Sequence, residues 1–508
     1  MAALSKQTRV LVVGAGAMGA GIAHVAAVAG HTVYLYDTRA EAVTAGLAGI
    51  AGDLRFLASK GKMSGADAEA ALARVVPTTA LAEAADAGLA IEAIVENLEI
   101  KQRLFKELEA HLPEDAILAT NTSSLSVTAL ASVLARPQLC AGLHFFNPAP
   151  RMKLVEVVAG LATATATAET LHATATAWGK VAVHARSTPG FIVNRVARPY
   201  YGEALRVLGE RAADVPTLDA ILREGCGFPM GPFELMDLIG HDVNFAVSRS
   251  VCDAYFGDRR FTPSLIQQEL VFAGRLGRKS GRGFYDYGAD AHKGAAHAEP
   301  ACAGVAAVTV VGDPGVAGAL VERLVQHGVR VERAPAQGGS AWLEFGVARL
   351  ALSDGRTATR RAAEEACASL VLCDLCLDYA TTPRIALARA DQCDDAAYRR
   401  VVGTLQQAGL TVSRIDDVAG MLALRTVAML ANEAADGVLA GIGSAPDVDA
   451  AMRFGTNYPE GPLAWADRLG VGFVVEVLAN LRAHYGEERY RTSPLLQRKN
   501  YNGERFHE

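Results

Sequence analysis

Residues 10 to 36 contain no Asp, Glu, Lys or Arg. The run is long enough to span a bilayer, and behind Lys6 and Arg9 it imitates a secretory leader. Its internal punctuation argues against both. Gly14-Ala15-Gly16-Ala17-Met18-Gly19 follows the apolar stretch 10–13 and opens a helical stretch, and Val33-Tyr34-Leu35-Tyr36 then ends at Asp37. That order is strand, glycine turn, helix, second strand. In such a unit the first glycine permits the tight turn, the second lets the backbone approach a pyrophosphate, and the third allows close helix–strand packing. The helix N-terminus adds amide donors and a positive dipole end. Asp37, at the end of the second strand, is placed to accept hydrogen bonds from a ribose diol and to repel a 2′-phosphate, which favours NAD over NADP. Arg39, just beyond it, reads as an exposed helix-start cation. Gly14, Gly16, Ala17, Met18, Gly19 and Asp37 are the expected cofactor-binding residues.

The 508 residues have room for roughly three or four domains of ~100–200 residues each. Further strands are expected at 89–94, 117–120, 139–145, 154–158 and 181–183, separated mostly by Ala-rich helical stretches. This alternation predicts a largely parallel sheet covered by helices on both faces. From Pro189 to about residue 276 the pattern becomes helical, and 288–304, rich in Ala, Gly and His, reads as a linker.

Beyond the linker the chain repeats itself. Segment 190–240 aligns without a gap on 420–470. Gly190/Gly420, Arg195/Arg425, Glu203/Glu433, Asp219/Asp449, Asp237/Asp467 and Gly240/Gly470 all match, so one helical unit is expected twice. A fainter echo precedes it: Val308–Val311 leads into Gly312-Asp313-Pro314-Gly315, with Pro314 and Ala317 where the fingerprint needs glycine. The strand at 329–331 lacks a terminal acid like Asp37. Residues 305–410 therefore read as a small α/β layer without a nucleotide site.

Two stretches carry candidate chemistry: Asn121-Thr122-Ser123-Ser124 after a strand, and His144-Phe145-Phe146-Asn147-Pro148 followed by Lys153-Leu154-Val155-Glu156. Hydride transfer from an alcohol needs a base for the hydroxyl proton, and neutral imidazole suits that near pH 7. Glu156 lies on an apolar strand where an unpaired acid would be costly, so it calls for a partner. A structural histidine and a turn that merely caps backbone groups fit the same residues. Spacing alone does not select the reaction.

Segments 12–21, 91–101 (Ile-Glu-Ala-Ile-Val-Glu-Asn-Leu-Glu-Ile-Lys), 121–125, 142–148, 153–157, 188–195 and 228–235 resemble, in order, those of the 3-hydroxyacyl-CoA dehydrogenase family. The resemblance spans about residues 8–287. It implies NAD-dependent oxidation of an L-3-hydroxyacyl-CoA to the 3-ketoacyl-CoA. It implies His144 as catalytic base, Glu156 as its partner, and Ser123 and Asn194 as donors to the reacting oxygen or the nearby thioester. It implies cofactor contacts at Glu96, Lys101, Asn121 and Lys279, and a CoA contact at Lys60, whose surroundings match less well.

The expected layout is an α/β Rossmann-type NAD-binding domain at 1–186 and an all-α 3-hydroxyacyl-CoA dehydrogenase C-terminal domain at 187–288. A degenerate Rossmann-like domain at 305–410 and a second helical domain at 411–508 follow. The two helical domains are expected to pack as an internal pseudo-dimer, with further homo-oligomerisation left open. This long form is similar to the 3-hydroxyadipyl-CoA dehydrogenases of bacterial phenylacetate catabolism. Alternatives are a 3-hydroxybutyryl-CoA or general fatty-acid β-oxidation dehydrogenase, and a non-catalytic NAD- or CoA-binding protein on the same fold. An adipyl chain ends in a carboxylate and requires a cation or polar donors at its far end; the sequence does not identify them.

Net charge −6 does not suggest a nucleic-acid surface. Eight cysteines are too few for a disulfide scaffold and fit a reduced, cytoplasmic compartment. Cys373-Asp374-Leu375-Cys376 has no second pair at zinc spacing and lies in a run expected to be a buried strand, so no metal is expected. His241 and His327 show no partner pattern. The C-terminal run 489–505 mixes bases with acids and reads as a solvated tail.

Overall fold

The computed structural model describes residues 2–288, 291, 294–336 and 341–507. Residues 289–290 and 292–293 of the expected linker, and 337–340 of the expected degenerate domain, lie outside them. The chain forms two compact units, Met1–Arg195 with Gly437–Thr456, and Val196–Asp436 with Asn457–Glu508.

The first unit is built on eight strands: β1 (Arg9–Val13), β2 (Val33–Tyr36), β3 (Val75–Thr78), β4 (Ala87–Glu92), β5 (Ile117–Thr120), β6 (Cys140–Phe145), β7 (Leu154–Ala159) and β8 (Val181–Arg186). Their order is β3-β2-β1-β4-β5-β6-β7-β8. Neighbours run parallel except β6 and β7, which are antiparallel. Side-chain alternation splits β1 between two cores: Val10 and Val12 pack with Ile22 and Leu35 on one face, Leu11 and Val13 with Phe105 and Leu108 on the other. The sequence does not announce strand β3, because it contains Pro77. It lies at the sheet edge, where a missing N–H is tolerated.

The opposite edge, β8, is covered by part of the second helical copy. Arg186 donates its N–H to the Ile442 carbonyl at 2.8 Å, and the Ala445–Gly455 helix packs on β7 and β8. The segment expected as one helical domain at 411–508 thus contributes to both units.

The second unit holds a seven-stranded mixed sheet: β9 (Ala307–Val311), β10 (Arg330–Ala334), β11 (Trp342–Phe345), β12 (Ala348–Leu352), β13 (Leu370–Cys373), β14 (Arg384–Arg389) and β15 (Thr411–Arg414). Their order is β10-β9-β11-β12-β13-β14-β15. β10 is parallel to β9, as β2 is to β1, but β11 on the other side of β9 is antiparallel, whereas β4 in the matching place beside β1 is parallel. A nucleotide crevice forms where parallel strands part at their carboxyl ends; β11 removes that arrangement. The described part of the expected linker is fastened to this sheet. His297 O accepts from Arg384 Nη1 and Ser413 Oγ, and Glu299 N–H donates to Val412 O.

The repeat begins earlier than the helical segments suggest. Strand β7 and the Thr165–Ala177 helix recur as β14 and the Asp395–Gln407 helix, with both ends of each in the register that sets Gly190 on Gly420. The Pro232–Ile239 helix recurs as Pro462–Leu469. Strand directions recur too: β13/β14 is antiparallel and β14/β15 parallel, as are β6/β7 and β7/β8.

Within this unit the helical copies touch through buried charge. Arg425 Nε lies 2.7 Å from Glu203 Oε2, and Tyr490 Oη donates to the same oxygen at 2.9 Å. Arg260 pairs with Glu433 and Asp436.

Candidate active site

The β6/β7 register sets His144 directly opposite Glu156. His144 Nδ1 and Glu156 Oε2 are 2.7 Å apart, and both side chains are buried. A carboxylate at Nδ1 accepts a proton there, which leaves Nε2 as the imidazole's basic nitrogen. No protein atom hydrogen-bonds Nε2 among the described residues. Phe146 and Phe191 flank the ring, with centroids 4.5 and 5.8 Å away. The other oxygen of Glu156 accepts the N–H groups of Ile192 and Val193, each at 3.0 Å. One carboxylate therefore orients the base and anchors the Val193–Val196 helix that carries Asn194.

The 121–124 turn is tied to the same strand. Asn121 Oδ1 accepts the Phe145 N–H at 2.8 Å. Ser123 donates its backbone N–H to Glu96 at 3.2 Å, while its hydroxyl has no protein partner among the described residues. Glu96 also collects the hydroxyls of Thr122 and Ser124. Burial pushes its carboxyl upward, but Lys101 and these hydroxyls outweigh that and hold it below the usual carboxylate range.

Lys101 is only 1% exposed, with Nζ 2.7 Å from Glu92 and 3.0 Å from Glu96. Its ammonium braces Glu96 from below, and Glu96 is the member of the cluster that reaches the surface. Glu92, unnoticed in the sequence, is fully buried and also accepts from Thr120 Oγ1 and the Ile94 N–H. Its signal is the one that marks Glu156, an acid on an apolar strand.

The fingerprint has the shape a dinucleotide needs. Gly14 sits at φ 103°, and a Cβ there would lie 2.4 Å from Ala93 O. A Cβ on Gly19 would lie 1.7 Å from Gly14 O, whereas one on Gly16 would meet nothing within 4 Å. The protein itself therefore does not require glycine at 16; that space fits an approaching pyrophosphate. Gly16 and Ala17 are exposed and Met18 half-buried, and Gly16 caps the Ala17–Val28 helix with no side chain, so the first-turn amides are not capped from within the chain. Asp37 bridges the loop, accepting from the N–H groups of Ala15 at 2.9 Å and Arg39 at 3.0 Å. The Arg39 side chain is exposed.

Two further residues stand apart. Lys60 caps the C-terminus of the Ala40–Ser59 helix as an exposed cation, with Nζ over the Phe56 ring. Lys279 belongs to the second unit, where Nζ lies 2.5 Å from Asp242 Oδ1. His241, expected to be without a partner, is fully buried with Nε2 2.7 Å from Asp237 Oδ1. The pair straddles Gly240 at φ 97°, with Asp237 on the Pro232–Ile239 helix and His241 opening the His241–Ala254 helix, so helical spacing does not announce it. Cys373 and Cys376 are buried, and burial pushes the Cys373 thiol up to about 12 and that of Cys376 well above its ordinary value. Both thus stay protonated near neutrality.

The second copy lacks the machinery. Position 374, equivalent to His144, is an aspartate, and position 386, equivalent to Glu156, is an alanine. Asp374 N–H bonds Ala386 O, preserving the register. Its carboxylate accepts the N–H groups of Leu422, Ala423 and Leu424, taking over the amides that Glu156 holds in the first copy.

A dinucleotide cradle beside an imidazole oriented by a carboxylate defines an NAD-dependent dehydrogenase, an oxidoreductase that removes a proton and a hydride from an alcohol. Comparison with known proteins narrows the class. Residues 9–188 match the 3-hydroxyacyl-CoA dehydrogenase NAD binding domain, and residues 190–287 and 420–505 both match the C-terminal domain of that enzyme. Residues 350–418 match the 3-hydroxybutyryl-CoA dehydrogenase reduced Rossmann-fold domain. The chain is 46% identical to the 3-hydroxyadipyl-CoA dehydrogenase of Escherichia coli K12, over 96% of this chain and 97% of that protein. It is 43% identical to a probable 3-hydroxybutyryl-CoA dehydrogenase of Bacillus subtilis, over 55% of this chain and 97% of that protein. A crystal structure titled 3-hydroxybutyryl-CoA dehydrogenase, from E. coli K12, superposes with a TM-score of 0.89 at 45% identity, covering 98% of this chain and 99% of that one. The chain belongs to the 3-hydroxyacyl-CoA dehydrogenase family.

Proposed function

We propose that the chain oxidises L-3-hydroxyadipyl-CoA to the 3-keto thioester with NAD, as a step of phenylacetate catabolism. The observation that carries this reading is the relative of that name, which matches at 46% identity along nearly the whole of both chains, the second half included. NAD, when bound, accepts the hydride from C3. His144 Nε2 takes the hydroxyl proton. Glu156 offsets the charge that forms on the ring and keeps Nδ1 protonated. Ser123 and Asn194 hold the oxygen as it becomes a ketone. Glu96 shapes the nicotinamide side of the cradle, Asp37 takes the ribose, and Lys60 and Lys279 meet phosphate groups of CoA and cofactor. Following NADH absorbance with purified protein and 3-hydroxybutyryl-, 3-hydroxyhexanoyl- and 3-hydroxyadipyl-CoA tests the reading. The adipyl thioester is expected to give the highest kcat/KM, and equal or lower efficiency with it overturns the assignment. The name of the matching crystal structure favours 3-hydroxybutyryl-CoA as the second reading.

The four-domain division, the internal pseudo-dimer and a cytoplasmic location complete the proposal. Support for the pseudo-dimer comes from the Arg425–Glu203 and Arg260–Asp436 contacts between the helical copies. Eight free cysteines support a reducing compartment. Among the described residues no helix is long and apolar enough to cross a membrane.

A further inference from the structure

A cavity of about 230 Å³ in the second unit is lined by Arg198, Arg206 and Arg260 and by no acid. Arg260 pairs with Glu433 and Asp436. Arg206 has only long contacts, 3.8 Å to Glu203 and 3.7 Å to Glu487, and its Nε makes no hydrogen bond. Arg198 is 8% exposed and has no carboxylate partner among the described residues. Its Nη1 donates to Ser248 Oγ at 3.1 Å, and its Nε is left without a hydrogen bond. Burial drives the pKa of Arg198 down, yet arginine keeps its charge. A buried cation with an idle donor is costly without a counter-ion.

The second helical copy closes the same place from within. The register that sets Gly190 on Gly420 also sets Thr262 on Thr492, Gln267 on Gln497 and Gly202 on Asn432. Asn432 is fully buried; its amide donates to Arg491 O at 3.0 Å and its oxygen accepts the Ser493 N–H at 2.7 Å. In the first copy those two partners are replaced by Phe261 and Pro263, both on the cavity wall, and Pro263 has no N–H to give. Gly202 lies inside the Arg198–Gly209 helix, where glycine is unfavourable. A Cβ there would meet nothing within 4 Å, so packing does not require the glycine. What the glycine does is keep the cavity open. Arg198 itself stands where the second copy has Ala428. The following helix differs too. Ser493 Oγ accepts the Leu495 N–H at 3.3 Å, whereas Ser264, on the cavity wall and at the N-cap of the Leu265–Phe272 helix, caps no amide.

We propose that this cavity binds a small oxyanion, a phosphate or a carboxylate group, held chiefly by Arg198. The planar guanidinium suits either group with paired hydrogen bonds, and the uncapped helix start behind Ser264 favours negative charge. Tyr201, Leu205 and Phe261 supply carbon walls for the body of a small organic anion. Every lining residue belongs to the second unit, so the site is complete within it. The bound anion does in the first copy what Asn432 does in the second: it ties the Arg198–Gly209 helix to the loop that precedes the Leu265–Phe272 helix.

The test titrates the full-length protein, dialysed into chloride buffer, with inorganic phosphate and with succinate at constant ionic strength, by isothermal titration calorimetry and thermal melting. One equivalent of at least one anion is expected to bind and, at ten times its Kd, to raise Tm by about 2–5 °C. The tighter of the two identifies the head group. Arg198→Leu is expected to weaken binding by ~10–100-fold, as for lost charge-assisted hydrogen bonds. Gly202→Asn fills the cavity as the second copy does. It is expected to fold, to raise Tm in chloride, and to abolish both the binding and the anion-dependent shift. Should the leucine variant not fold, Gly202→Asn carries the test. A wild type that takes up neither anion stoichiometrically overturns the proposal. So does binding that either folded variant retains at wild-type affinity, which marks an adventitious ion only.

Discussion

Glu156 Oε2 lies 2.7 Å from His144 Nδ1, while its other oxygen holds the amides of Ile192 and Val193. The base and the helix bearing Asn194 thus depend on one buried carboxylate. His144→Ala is expected to lower kcat by ~10²–10⁴-fold, the range for a removed general base, with NAD affinity intact by titration. Glu156→Gln is expected to lower kcat and to weaken the thermal stability of the first unit, because an amide replaces the charge that the imidazolium and two N–H groups use. Wild-type turnover in either variant contradicts the assignment.

Asp37 sets the cofactor. Its carboxylate holds the fingerprint loop through the Ala15 N–H, close to where a ribose diol would sit. Efficiency with NAD is expected to exceed that with NADP by ~10²-fold or more, as an unscreened like-charge contact costs several kcal/mol. Asp37→Ser is expected to narrow the gap. Equal use of both cofactors by the wild type would show that the neighbouring Arg39 dominates.

The contact between helical copies can be broken from either side. Arg425 is buried against Glu203, Glu210, Tyr485 and Tyr490. Arg425→Met is expected to lower stability by about 3–5 kcal/mol, because it strands the Glu203 charge. In urea melts, adding Glu203→Gln is expected to restore much of the loss. Deleting residues 305–508 uncovers the same face of the 190–276 helices, at ~25 cal/mol per Å² of apolar area exposed. The fragment is expected to aggregate or dimerise in sedimentation velocity; a soluble, active monomer would refute the pseudo-dimer.

Acid is expected to loosen the second unit through Asp237. Burial works to raise its pKa, but the bond to His241, the N–H groups of Phe284 and Tyr285 and the Tyr287 hydroxyl lower it overall. A depressed folded-state pKa contributes stability that is fully present above the unfolded value, ~3.9, and is lost as pH falls through the folded value. Melting temperature should fall more steeply below about pH 4 for the wild type than for Asp237→Asn. The variant should start lower at neutral pH. Parallel curves would remove Asp237 from the acid response.

Asp467 performs the same task in the second copy, accepting the N–H groups of Phe506 and His507. The run 489–505 that reads as a solvated tail instead buries Arg489, Tyr490, Ser493, Leu495 and Leu496, and it leads into these two residues. The partner residues of Asp467 lie at a different spacing from Phe284 and Tyr285, so a gapless alignment does not pair them. Strand β3 is hidden for another reason: local propensity argues against proline in a strand, and only an edge position makes it acceptable.

By itself the sequence determined the elements whose information is local. Glycine spacing at 14, 16 and 19, the strand end at Asp37, and the recurrence of 190–240 at 420–470 are patterns of neighbours, and each is written in backbone sterics or periodic burial. Tertiary structure decided everything that depends on which distant groups share a low-dielectric space. It set Glu156 against His144 by strand register, placed Lys101 beneath Glu96, and gave Asp374 the amides equivalent to those that Glu156 holds in the other copy. Charge pairing acts through space with a strength set by burial, and neither the partner nor the burial is encoded at the residue that bears the charge.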